Sequence, residues 1–433
     1  MLAGLYHQTE VEMNRDHVTR RRDFLRGITS AGVAAGTLSW ADLMSLQAAN
    51  LRRREMACIV LWMQGGPSQF ETFSPKPNDA AGGETKAIPT SVPGIQIAEN
   101  LPETAGVMDD VCLIRSVNSK EGSHPRASFL MHTGYVPTAS VKHPELGAVV
   151  SERLGDSAMD LPGFVRVGNR QRGAAGGGLL GVDFDPFVIA NATRAPENTT
   201  VTTGEQRYRR RLQLLDKIEE HYANHGGPRE VAEHRAQYDK ASRMVLSAQM
   251  SAFDIAREPK QVRTSYGDSE FGAGCLLARR LVESGVTFVE VSAGNWDTHY
   301  DNFSRSRELC QQVDRPYAAL LRDLKSRGLL DKTLVVWMGE FGRTPRINAR
   351  GGRDHFPRAF DVALAGAGVR GGQVIGATDS SGAEVIERPV RVTDLFRTFC
   401  HSLNIDADHE FMSSVGRPIK IVEGGETVGE VFA

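Results

Sequence analysis

Five short stretches of this chain gather the residue types that bind metals and move protons. "GNWDTHYDNF" (294–303) carries Asp297 and His299, and "GGRDHFPRAF" (351–360) carries Arg353, Asp354 and His355. "NSKEGSHPRASFLMHTGY" (118–135) holds Ser123, His124, Arg126 and His132, and "VVWMGEFGR" (335–343) ends in Glu340 and Arg343. A further acid, Glu71, lies in "QGGPSQFETF" (64–73). Carboxylates together with imidazoles are the ligand set of zinc, manganese and related divalent ions. Such an ion stabilises charge on a phosphoryl-type oxyanion and acidifies a bound nucleophile. No single pair is specific, since an Asp-x-His is ordinarily a hydrogen-bonded loop pair. What separates these stretches from chance is where they fall. All but one follow directly on a buried apolar run.

Those runs are "ACIVLWM" (57–63), "VCLIRSV" (111–117), "GVTFVEVSA" (285–293) and "TLVVWMG" (333–339), with "FDVALAG" (360–366) as a fifth. They are continuous rather than alternating, which predicts strands buried on both faces, as in a parallel sheet. Between them, "SEFGAGCLLARRLVESG" (269–285) and residues 300–330 repeat apolar side chains at helical spacing. Strand, helix and strand in this order predict an α/β fold, a doubly wound and mostly parallel sheet flanked by helices. Ligands of such sheets sit beyond the carboxyl ends of the strands, so the polar stretches should converge on one edge.

Residues 205–257 are charged, helix-prone and broken at Gly226-Gly227-Pro228, and read as a helical hairpin inserted in the sheet domain. His221, His225 and His234 fall there and read as incidental on an exposed helix. "RGAAGGGLLG" (172–181) is glycine-rich but lacks a phosphate-loop lysine, so it reads as a loop and carries no nucleotide claim.

A chain of 433 residues with 40% hydrophobic and 24% charged residues has the composition of a globular protein. Its net charge of -2 gives no case for nucleic acid as a partner. "TRRRDFLRGITSAGVAAGTLSW" (19–40) places Arg21-Arg22 before Phe24-Leu25, the pattern of a twin-arginine export signal. The expected organisation is a signal and linker over 1–50 and one domain over 51–433, with no membrane span beyond the signal and a periplasmic or otherwise exported location. The five cysteines show no Cys-x-x-Cys spacing and read as buried thiols.

"LWMQGGPSQFETFSPKP", "MHTGY", "FGAGCLLARRLVESGVTFVEVSAGNWDTHYDNF", "GEFGRTPRIN" and "GRDHFPRAFDVALAGAGVRGGQVIGATD" resemble the exported bacterial family called domain of unknown function 1501, from about residue 57 to 404. That family is grouped with the alkaline phosphatase and sulfatase superfamily. The resemblance implies an alkaline phosphatase-like fold and a metal-dependent hydrolase acting on a small phosphate or sulfate ester or a related anion. Glu71 is the nearest match to the acidic ligand after the first strand, while Ser74 stands at a second position where relatives have Asp. Asp297 and His299 look like the superfamily's Asp…His metal pair, and His355 resembles its last histidine ligand. "SHPRASFLMHTG" is similar to the sulfatase nucleophile motif. Alignment on Thr133-Gly134 puts His124 at the nucleophile's place, and alignment on Pro125 puts Ser123 there. Neither is a cysteine that could become formylglycine, so a sulfatase of the usual type is not expected. Glu340-Phe341-Gly342 stands where active relatives have Asp-His-Gly, so Phe341 replaces a histidine ligand.

The resulting expectation is a divalent metal (zinc, manganese or calcium) on Glu71, Asp297, His299, Glu340, Asp354 and His355. Ser123, His124 and Arg126 take the catalytic places, and Arg343 and Arg353 bind the anionic substrate. The alternative is a catalytically degenerate exported binding or scaffold protein. A third reading is a structural polar cluster in which Arg343 and Arg353 pair with the acids.

Overall fold

Strand β1 (Ala57–Met63) has no exposed residue, because helices cover the sheet on both of its faces. Cys58, Val60 and Trp62 point into one apolar core, and Ala57, Ile59, Leu61 and Met63 into the other. Continuous apolar strands arise in this way: each parity of side chain has a core of its own.

The computed structural model describes residues 55–156, 158–168, 175–223, 228–413 and 416–433. The expected export signal at 19–40, part of the glycine-rich loop and His225 lie outside the described residues. The central sheet has nine strands: β1, β2 (Val111–Asn118), β3 (Phe164–Val167), β4 (Phe187–Ile189), β5 (Phe288–Ala293), β6 (Thr333–Met338), β7 (Phe360–Ala365), β8 (Gln373–Ile375) and β9 (Val390–Arg391). Their order is β8-β2-β7-β6-β1-β5-β3-β4, with β9 beside β2. β1 lies parallel to β5 and β6, with Leu61 opposite Val291 on one side and Trp337 on the other. Only β7 is reversed, running antiparallel to both β6 and β2. The sheet is thus mostly parallel, as expected, and the four strands not foreseen are short ones at its margins.

The longer helices are α1 (His124–Thr133), α2 (Leu146–Leu154), α3 (Glu205–Ala223), α4 (Pro228–Leu246), α5 (Glu270–Glu283), α6 (Asn302–Ser326) and α7 (Val392–Ser402). Cys275, Leu276 and Leu277 of α5 and Leu309, Tyr317 and Leu320 of α6 fill one core. Leu130 of α1, Val149 and Val150 of α2, and Phe396 and Phe399 of α7 fill the other. Each fully buried Leu, Val or Phe contributes about 1.5–3 kcal/mol through apolar area removed from water. Helix α5 is capped by Ser269, whose side chain accepts from Gly272 N–H, and stops just before Gly285 (φ +95°). The helical insertion is the α3–α4 hairpin, held by Tyr208 Oη to Ser242 Oγ (3.3 Å) and Arg235 to Glu219 (3.1 Å). All five cysteines are buried free thiols. No helix of the described residues is long and apolar enough to cross a membrane.

Candidate metal centre

Two glycines permit the loops at the carboxyl edge of the sheet to meet. After β1 the chain turns through Gly65 (φ +114°) and Gly66 (φ +75°). A Cβ at Gly65 would lie 2.5 Å from the Asp297 backbone nitrogen, and one at Gly66 would lie 2.7 Å from the Phe341 ring. Only glycine allows both the backbone conformation and the approach. The Gly65 N–H donates to both oxygens of Glu340 (2.9 and 3.1 Å), which fixes the carboxylate that follows β6. The loop after β2 delivers His124 as the first residue of α1, with Ser123 at the N-cap. The loop after β5 passes Asn295 (φ +73°) and delivers Asp297 and His299. His355 precedes β7 and pairs in a two-residue ribbon with Arg343. Because β7 is antiparallel, its start lies at the same edge as the ends of the other strands.

Asp297 is the hub. Its Oδ1 lies 2.7 Å from Arg343 Nη2, 3.1 Å from His299 Nε2 and 3.3 Å from His355 Nε2, and its Oδ2 lies 3.4 Å from His124 Nε2. The ligand atoms of His124, Asp297 and His355 all fall within 4.8 Å of one another. Each imidazole is held from behind at Nδ1. His124 meets Glu340 Oε1 (2.7 Å), His299 meets Asp354 Oδ1 (3.0 Å) and His355 meets the Gly122 carbonyl (2.8 Å). Those acceptors place an N–H on each Nδ1, so each Nε2 is the atom left to carry a second proton or a metal ion. The Nε2 atoms of His299 and His355 are 3.0 Å apart. Two lone pairs cannot face each other at that distance, so a cation, either a proton or a metal ion, must lie between them. His124 Nε2 is buried and faces Asp297 Oδ2.

The electrostatics agree with a cation site. Burial alone would raise the Asp297 carboxyl, but hydrogen bonds from His124, His355 and Arg343 hold it far below the ordinary carboxylate range. Hydrogen bonds to Asp297 and then Glu340 push the His124 imidazolium up to about 9 against its burial. The His299 hydrogen bond draws Asp354 down. This concentration of negative charge gathers imidazoles and would gather a metal ion by the same attraction.

The structure brings His124, Asp297, His299 and His355 together, with Glu340 and Asp354 directly behind them. It does not bring Glu71 there. Its turn (Gln69–Glu71) directs the carboxylate to Arg353 Nη2 (2.9 Å), and both side chains are fully buried. Nor are the two arginines expected to receive substrate free to do so. Arg353 donates to the Thr344, Pro345 and Ala81 carbonyls besides Glu71. Arg343 donates to the carbonyls of Gly65, Gly66, Trp296 and Arg353 as well as to Asp297. Both are structural anchors of the edge loops. Arg126 is exposed on α1 and pairs with Glu121 (2.7 Å), and Ser123 is exposed and makes no capping hydrogen bond. Phe341 is buried against the cluster, its ring 4.9 Å from His124 and 4.5 Å from His355 between centroids. Sequence reasoning missed the Gly65 amide and the Gly122 carbonyl, since backbone groups leave no side-chain signature. The position of His124 directly after a strand was the available signal for its membership of the cluster.

A cleft of about 660 Å³ opens from the cluster along the ends of β5, β3 and β4. Gln64, Ser128, Asn191, Asn295 and Gln312 give it polar walls, and Val167, Val291 and Leu309 an apolar floor.

Residues 55–432 match the model of the family described as "Protein of unknown function (DUF1501)". No curated protein matches the chain. Among solved structures, the chain is similar to the PsFucS1 sulfatase from Pseudoalteromonas sp., at 14% identity over 89% of this chain and 72% of that one, with a TM-score of 0.39. A protein in the alkaline phosphatase superfamily from Vibrio parahaemolyticus is 10% identical over 81% of this chain and 67% of that one, with a TM-score of 0.38. The phosphonate monoester hydrolase of Agrobacterium radiobacter is 11% identical over 87% and 77%, with a TM-score of 0.32.

Proposed function

This chain belongs to the DUF1501 family, and from that premise we propose that it is an exported hydrolase of a small phosphate or sulfate ester or related anion, dependent on one divalent metal ion. His124, His299, His355 and Asp297 hold the ion. The observation that carries the reading is the convergence of three Nε2 atoms on one carboxylate, with all three Nδ1 atoms held by outer acceptors. Metal-binding histidines are oriented in this manner by a carboxylate or carbonyl behind them. Three nitrogens and one carboxylate suit zinc or manganese. Calcium, which takes six to eight oxygens, does not suit this set.

The ion, when bound, supplies a Lewis acid that stabilises negative charge developing on the ester. The chain's own residues do the rest. Arg343 fixes Asp297, Glu340 fixes the tautomer of His124, and Asp354 and Gly122 do the same for His299 and His355. Because Arg343 and Arg353 are committed to carbonyls and acids, an anionic substrate depends on the ion, with Arg126 as the cation at the rim. With His124 facing the ion, the nucleophile's place falls to the Ser123 hydroxyl or to water. Glu71 and Arg353 form a structural pair, as the polar-cluster reading expected.

A second reading, a binding protein without turnover, is favoured by Phe341, which fills the position of a further histidine ligand with an apolar ring. Elemental analysis of purified protein tests the first step. About one zinc or manganese per chain is expected, lost in Asp297→Ala and His355→Ala. Native protein that takes up neither metal overturns the hydrolase reading. Bound metal with no turnover of aryl phosphate, sulfate or phosphonate esters selects the binding protein. Export through the twin-arginine route predicts that Arg21→Lys with Arg22→Lys leaves the chain in the cytoplasm.

A further inference from the structure

Helix α3 of the inserted hairpin has two apolar faces, and only one of them is used. Tyr208 and Glu219 face α4, where they meet Ser242 and Arg235, and Leu212 and Leu215 lie half-buried on the same side. At 100° per residue, Leu214, Ile218 and Tyr222 form a second stripe, one turn apart at i, i+4 and i+8. They are 58%, 67% and 65% exposed. Isolated exposed apolar residues need no explanation, but three in line on one helix form a continuous surface.

The charges around the stripe are sorted. The helical projection puts Arg207 and Arg211 within the stripe and Arg210 and Lys217 along its outer flank, and all four are exposed. The carboxylates Glu205, Asp216 and Glu220 project to the opposite side, where Arg209 pairs with Glu205 (2.7 Å). The outward arc therefore carries four cations, three large apolar side chains and no carboxylate. Four cations beside an apolar stripe, with no carboxylate on the arc, are complementary in charge to an anionic surface with an apolar interior.

We propose that α3 docks this arc on an anionic phospholipid surface, with Leu214, Ile218 and Tyr222 entering the headgroup boundary and Arg207, Arg210, Arg211 and Lys217 pairing with lipid phosphates. Apolar insertion flanked by cations is the physics of interfacial helices, and each cation near an anionic leaflet adds a comparable increment. The chain would then hold its metal centre near a membrane with no spanning segment among the described residues.

Co-sedimentation of the full chain with vesicles tests this. Vesicles of phosphatidylcholine with phosphatidylglycerol should bind it at least about tenfold more tightly than phosphatidylcholine alone, with the difference shrinking as salt rises. Arg207→Glu with Arg211→Glu should abolish the preference, and Ile218→Glu should weaken binding to both vesicles. All these positions are exposed, so an unchanged Tm is expected and shows that the variants fold. Equal binding to both vesicles, binding to neither, or a preference that survives the charge reversals overturns the proposal. A dimer in solution that Ile218→Glu dissociates, without vesicle binding, assigns the stripe to a second copy and likewise overturns it.

Discussion

Two polar groups share helix α1 and use the same residue types to opposite ends. At its first residue, His124 joins Asp297, His299 and His355 at the open edge of the sheet. Two turns on, His132 lies beneath Trp62, 4.1 Å between ring centroids, and 3.2 Å from Glu290. Arg166 completes that inner group, reaching Glu290 (2.9 Å) and Glu145 (2.5 Å), with each side chain buried. In the inner group a guanidinium and an imidazole face two carboxylates, and the protein closes its own charge balance. At the edge, three imidazole Nε2 atoms converge on one another and on a single carboxylate, and the side chains are a quarter to nearly a half exposed. Residue type does not separate a structural cluster from a candidate metal centre. The separation lies in whether a buried guanidinium already balances the carboxylates and whether solvent can reach the imidazoles.

The largest effect expected from breaking this contrast is in the inner group. Arg166→Met leaves Glu145 and Glu290 buried without their guanidinium, and loss of one partner from a buried ion pair costs about 3–5 kcal/mol. Chemical denaturation should show that loss while any chain that remains folded keeps its metal content. Asp297→Asn should remove the metal. Because it also leaves the buried Arg343 without its carboxylate, it should lower the stability of the metal-free protein, so the contrast between the two variants is read in metal content. If Arg166→Met emptied the metal centre without destabilising the fold, the two groups would be one.

Acid should also act on the inner group in a predictable window. Burial raises Glu290, but Arg166 and His132 overcome it and hold the carboxyl down at about 2, against an ordinary 4.5. A depressed carboxyl stabilises the fold fully above its unfolded value and loses that contribution as pH falls through the folded one. Stability should therefore drop between roughly pH 4.5 and 2, by on the order of 3 kcal/mol for this residue. His132 works in the other sense. Burial lowers it, Glu290 outweighs burial, and its net pKa is raised, so its contribution is present below about 6.5 and fades as pH rises through the folded value. Urea denaturation across pH should show a flatter acid limb in Glu290→Gln than in the native chain.

Glu340→Gln sharpens the contrast at the edge. The variant keeps the shape that accepts from Gly65 but exchanges the charge behind His124 for an amide. Outer partners of metal-bound histidines contribute about 10–100-fold in affinity. Competition with a chelator should show a loss in that range, with Asp354→Asn at its low end because Asp354 is more exposed.

How much of this the sequence disclosed follows from the range of each signal. Strands β1, β2, β5, β6 and β7 were legible because burial on both faces writes a continuous apolar run. The marginal strands β3, β4, β8 and β9 are two to four residues long, too short to carry a period. Asp297, His299 and His355 could be named as candidates because their types are rare together and they flank predicted strands. Glu71 was misplaced for the same reason: strand-end position and type cannot reveal that a buried arginine, Arg353, 282 positions away, already holds it. The reversal of β7 was invisible too, though it cost the site reading nothing. An antiparallel strand that starts at an edge delivers its preceding residues to the same place as a parallel strand that ends there.

The smallest expected effect is at Arg126, and it tests whether the edge takes an anion. Arg126 is exposed, its guanidinium is held by Glu121, and it touches none of the four cluster residues. Arg126→Gln should leave Tm and metal content unchanged, because exposed ion pairs contribute little to folding. Its measurable consequence is on anions. In the hydrolase reading Arg126 is the rim cation nearest the His124 helix turn, and the variant should bind inorganic phosphate a few-fold more weakly only when the metal is present. A binding site for an uncharged ligand would show no phosphate affinity to lose in either state. The comparison of native and Arg126→Gln chains, each with and without metal, therefore reads the charge of the natural ligand before the ligand itself is known.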